Sequence, residues 1–137
     1  MPIDWQPPPT RQYWVVFHDR VSPERSLTGM WLKPGFCHCF AFVAGMAGAV
    51  AVNPLKTTWD VGWWPGEPHD LAMHFLSDPR CRVLTIARPG DARYYWLTLP
   101  NCVGVVKAML GIKSLAVTPY QLYRDLLNYG AVELRRE

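Results

Sequence analysis

The sequence predicts an α+β fold: a small antiparallel sheet with helices packed on one side. Three observations predict it. Short apolar runs punctuated by glycine and proline fill the stretch from Tyr13 to Leu99, which is how strands joined by turns read. Two well-capped helical patterns then close the chain instead of alternating with the strands. Half of the 137 residues are hydrophobic and only 18% are charged, enough apolar material for one domain with a real core.

The elements follow in order. Residues 1–12 form a proline-rich arm with Pro2, Pro7, Pro8, Pro9 and Trp5, which favours an extended conformation and cannot pair as a central strand. Such an arm packs on its own domain or docks on a neighbouring chain. Residues 13–137 form the single domain. Tyr13 to His18 is apolar and β-branched, a first strand, and Val21 to Pro34 is a polar loop. Phe36 to Val43 and Ala49 to Asn53 flank Gly45–Gly48 and read as a hairpin with a loose tip. Thr57 to Trp64 is a further strand, closed by Pro65-Gly66. Glu67 to Ser77 carries Leu71, Met73, Phe75 and Leu76 and reads as a short helix. Arg82 to Ala87 and Tyr94 to Leu99 are two more strands around Pro89-Gly90-Asp91. Asn101 caps the next helix and Gly111 ends it. Thr118-Pro119-Tyr120-Gln121 starts the last helix with a cap, a first-turn proline and a capping-box glutamine, and Gly130 stops it.

Composition excludes several function classes. A net charge of +3 is too small to argue for nucleic acid by itself. Four cysteines (Cys37, Cys39, Cys81, Cys102) are too sparse for a disulfide scaffold, so all four read as thiols. The apolar run from Cys39 to Val52 is too short to span a bilayer and contains glycines, so it reads as core strands. The N-terminus lacks the basic and apolar regions of a signal peptide. The expectation is a protein made in the cytoplasm, with packaging into an assembly left open.

Chemistry concentrates in three residues. Cys102 falls in the first turn of the Asn101-capped helix, where unpaired N–H groups and the helix dipole favour a thiolate. His38 lies in the strand Phe36-Cys37-His38-Cys39-Phe40-Ala41-Phe42, on the face of Phe36, Phe40 and Phe42 by strict alternation. Asn53 stands fifteen residues after His38, on the following strand. Each has an ordinary structural reading: a core histidine, a buried cysteine acting as a small hydrophobe, and a turn-forming Asn-Pro. Together they are the parts of a thiol-nucleophile site in the order histidine, polar orienter, cysteine.

In that order the chain resembles the circularly permuted papain-like superfamily, which includes lecithin:retinol acyltransferase-like and permuted NlpC-type cysteine hydrolases. The resemblance rests on the His38 strand preceding the Asn101-Cys102 helix and covers about residues 35–112. It implies Cys102 as nucleophile, His38 as base and Asn53 as orienter, with Asp60 the second choice for that role. It implies amide or ester hydrolysis or acyl transfer, on a peptidoglycan peptide, a protein isopeptide or a lipid ester, without a cofactor. The chain departs from the pattern in having Cys37 and Cys39 around the histidine, where small or polar residues and a glycine are usual. The His-Cys-Phe strand, Asn-Pro-Leu turn and Asn-Cys-Val helix also resemble small bacteriophage proteins.

Three other readings compete. A metal site would draw on Cys37, Cys39, Cys81, Cys102, His69 and His74, but no Cys-x2-Cys pair exists and the two histidines are off helical i,i+4 spacing. A nucleic-acid face would use Arg88, Arg93, Tyr94, Tyr95 and Trp96, a pattern that a sheet strand explains more simply. The serious rival is a catalytically silent papain-like subunit of a virion or other assembly, docking through residues 1–12 and Trp59, Trp63 and Trp64.

Overall fold

The computed structural model describes residues 6–19, 32–55, 58–92 and 101–136. Within them the chain forms a six-stranded antiparallel sheet and three helices. The strands are β1 (Thr10–His18), β2 (His38–Gly45), β3 (Gly48–Pro54), β4 (Trp59–Trp64), β5 (Cys81–Pro89) and β6 (Val132–Glu133). The helices are α1 (Pro68–Leu76), α2 (Cys102–Leu110) and α3 (Pro119–Asn128). Sheet order is β4-β3-β2-β1-β5-β6.

Strand β1 lies inside the sheet and is buried from Tyr13 to His18. Its alternate residues feed two different cores. Val15 and Phe17 join Cys39, Ala41 and Leu84 beneath α2 and α3, whereas Trp14 and Val16 join Phe40, Phe42 and Val83 beneath α1. Trp14 stacks on Phe42 with ring centroids 5.3 Å apart and planes 7° apart. The helices therefore cover both faces, not one as the sequence analysis expects. The reason lies in β1 itself: a run that is apolar at every position needs a cover on each side.

Several boundaries also shift. Thr10 to Gln12, expected in the arm, belong to β1 and pair with Pro89, Arg88 and Ala87. The described part of the arm lies on its own domain: the Gly90 N–H donates to the Pro9 carbonyl at 3.1 Å. Phe36 leaves the face of Phe40 and Phe42 and packs with Phe17 and Tyr123 in the α2–α3 layer. Alternation does not reach it because β2 begins only at His38. The expected strand over Tyr94–Leu99 lies outside the described residues. The two-residue strand β6, against Leu84 and Thr85, has no signal in the sequence analysis. Among the described residues no helix is long and apolar enough to cross a membrane.

Candidate functional site

Helix α2 begins where the sequence places it. Asn101 has extended backbone and its Oδ1 accepts from the Gly104 N–H at 2.8 Å, while its carbonyl accepts from Val105. The N–H groups of Cys102 and Val103 are therefore the two at the helix start without an intrahelical acceptor. The far end of α2 is also fixed. Arg88 donates to the Leu110 and Gly111 carbonyls, each at 3.1 Å, and Gly111 takes the left-handed conformation with φ 62°. Buried Lys107 donates from Nζ to the carbonyls of Ser114 and Ala116 at 3.0 and 2.7 Å. A helix tied at both ends holds its first residue in place.

The sheet opens opposite that residue. The β2–β3 ladder runs only to Ala41↔Val52, whereas β1–β2 continues to His18↔His38 and β3–β4 to Pro54↔Trp59. Continuing the register would set Cys39 against Pro54, which has no N–H to donate. Past Ala41 and Val52 the two strands are no longer laddered, and His38 and Asn53 meet across the gap. His38 Nε2 lies 2.7 Å from Asn53 Oδ1. With a carbonyl oxygen as acceptor, Nε2 carries the hydrogen and Nδ1 is left for the thiol.

Cys102, His38 and Asn53 are thus brought together. Asp60, the alternative orienter, sits across the ladder from Asn53 on the exposed strand β4, and the contact with His38 is made by Asn53. The Cys102 thiol is pulled down to about 4, against the opposing effect of burial. Its largest cause is a hydrogen bond from the Cys39 thiol; next come the hydrogen bond and charge of His38, then the Cys39 backbone N–H. For His38, burial opposes the charged form, but contact with Cys102 and then with Asn53 outweighs it and raises the ring. Cys39, fully buried, is driven well above the usual thiol range by desolvation and then by Cys102. The two shifts of Cys102 and His38 agree in sense: the thiolate favours the protonated ring and the protonated ring favours the thiolate.

Two residues of this site escape the sequence reading. Cys39 is read there as a strand residue on the face away from His38, yet it is the principal donor to Cys102. His18 is read as a strand end, yet its buried ring lies 5.1 Å from that of His38 and 5.8 Å from Phe40, limiting how the His38 ring can turn. A signal existed for His18: two histidines end-on in neighbouring antiparallel strands fall opposite each other once the register is known.

The competing constellations come apart. Cys81 belongs to the α1 layer and Cys39 to the α2–α3 layer, on opposite sides of the sheet. Cys37 hydrogen-bonds Asp19, and burial first, then this contact, pushes its thiol up to about 11. Among the described residues no three histidines, cysteines or carboxylates are grouped to hold a metal ion. Arg88 is spent on the end of α2 and lies over the Tyr129 ring, while Arg93, Tyr94, Tyr95 and Trp96 are outside the described residues. A cavity of about 530 Å³ opens beside the turn leading into β2, lined in part by Asp19, Gly35, Phe36, Tyr120 and Tyr123. Compared with known protein families, curated proteins and solved structures, the chain finds no match.

Proposed function

We propose that this protein is a thiol-dependent hydrolase or acyltransferase acting on an amide or ester bond, built as a permuted papain-like domain. One observation carries the reading: a half-buried cysteine at a helix start, beside a histidine whose other nitrogen is held at 2.7 Å by an asparagine. The Cys102 thiolate attacks the substrate carbonyl, and the oxyanion that develops faces the Cys102 and Val103 N–H groups at the positive end of the α2 dipole. His38, protonated by the thiol, returns that proton to the leaving amine or alcohol. Water, or an acceptor nucleophile in a transferase, then releases the acyl group with His38 as base. Asn53 keeps the ring in the tautomer and orientation both steps need. A peptidoglycan peptide is the substrate to try first among amides.

The test is the alkylation rate of Cys102 against pH, in wild type and in His38→Ala. The expected profile stays fast down to about pH 4 in wild type, and its midpoint rises in the variant. Trapping an acyl-Cys102 by mass spectrometry with an activated aryl ester then shows that the thiolate is also a carbonyl nucleophile. A Cys102 that alkylates only at ordinary thiol pH, indifferent to His38, rules the reading out.

A second reading has its own observation. Strand β4 is exposed throughout and carries Trp59 and Trp63 at 65% exposure each, which suits a subunit docked on other proteins of a virion or similar assembly. That reading expects an inert Cys102 and a blue shift of tryptophan fluorescence when the assembly forms.

A further inference from the structure

We propose that Cys39 is a resolving thiol for Cys102, so that hydrogen peroxide joins the two in a disulfide across the α2–β2 contact and closes the nucleophile reversibly. The inference rests on the reading of Cys102 as a thiolate. Cys39 sits on β2 with no exposed surface, in the core cluster against which Cys102 packs, and its thiol and backbone N–H both act on the Cys102 sulfur. The exposures are complementary. Cys102 is only half-buried and meets a small oxidant first, while Cys39 is sealed behind it. Neither remaining cysteine is so placed: Cys81 packs in the α1 layer and Cys37 is engaged with Asp19 ahead of the strand.

The chemistry balances with peroxide as the only oxidant. The Cys102 thiolate attacks one peroxide oxygen, the O–O bond breaks, hydroxide leaves and the sulfur becomes a sulfenic acid. The Cys39 sulfur then attacks the Cys102 sulfur, the S–O bond breaks, and the hydroxyl leaves with the Cys39 proton as water. The first step prepares the second. Burial and the neighbouring Cys102 charge keep Cys39 protonated, and oxidation of Cys102 removes that charge. Without a partner in contact, further peroxide would carry Cys102 on to an irreversible sulfinic acid.

The experiment treats the full chain with equimolar hydrogen peroxide, denatures it in alkylating reagent and maps the cysteines by non-reducing peptide mass spectrometry. The expected result is equal loss of Cys39 and Cys102 from the alkylatable pool, with a Cys39–Cys102 linked peptide, both thiols returning with dithiothreitol. Cys37→Ser gives the same linkage. Sulfinic Cys102 beside an intact Cys39 thiol, or a linkage running to Cys37 or Cys81, overturns the proposal. Native alkylation before oxidation separates the two levels. Fast alkylation of Cys102 without cross-linking overturns the resolving role alone, and slow alkylation overturns the thiolate reading beneath it as well.

Discussion

Asn53 makes one hydrogen bond that decides how His38 stands. Bonds to a charged group contribute about 1.5–3 kcal/mol, so Asn53→Ala should slow acyl transfer roughly 10- to 100-fold. The comparison of kcat/KM with Asp60→Ala checks the assignment, because Asp60 is exposed on β4 and its loss should leave the rate nearly unchanged. Titration of the Cys102–His38 pair also reaches stability. A thiol depressed to about 4 from an ordinary value of 9.0 contributes stability that is present above the ordinary value and lost as pH falls through the folded one. The raised His38 contributes stability that is full below its ordinary 6.5 and lost as pH rises through its folded value. Between about pH 6.5 and 4 only the cysteine contribution changes. The stability gap between wild type and Cys102→Ser in urea unfolding should therefore narrow steadily over that range and stay flat below it.

Helix α2 is where sequence and site meet. Its cap, its first residue and its terminating glycine were all legible, because capping is a local bargain between a side chain and the nearest three backbone groups. Asn101→Ala removes the acceptor of the Gly104 N–H and should cost about 1 kcal/mol in urea unfolding. The same change should also raise the alkylation midpoint of Cys102, since an unwound first turn no longer holds the sulfur beside Cys39 and His38. Gly111 ends α2 with a positive φ, and a Cβ there would stand 2.6 Å from the Ala92 carbonyl. The gap between β2 and β3 was half legible. The Asn53-Pro54 pair announces that a strand is ending, but not which neighbour it parts from.

At the scale of the whole fold, the sheet separates two buried clusters among the described residues. Phe17 has no exposed surface and touches Phe36 and Tyr123 rings at 5.8 and 5.6 Å. Phe17→Ala should cost about 3–5 kcal/mol in chemical denaturation. The N-terminal segment is joined to this body at a point of close backbone approach. A Cβ on Gly90 would lie 1.5 Å from the Pro8 carbonyl. Gly90→Ala should therefore expose residues 6–9 to limited proteolysis while the cooperative unfolding of the domain persists. Packing on both faces replaces the expected one-sided packing, and a strand buried on both faces differs from one buried on a single face only by the polarity of alternate residues. In β1 that alternation is missing, from Tyr13 through Phe17.

By itself the sequence determined the α+β class, most strand and helix positions and both C-terminal helix caps, and it singled out Cys102, His38 and Asn53 as candidates. These depend on neighbours within about one helical turn or one hairpin, and local physics writes them into the chain. The tertiary structure decided the rest: the two-sided cover of the sheet, the place of Phe36, the opening between β2 and β3, and Cys39 as the chief hydrogen-bond donor to Cys102. Those facts turn on register and on which layer a side chain enters. A shift of one residue in a strand reverses every face, and only packing over the whole molecule selects between the two outcomes.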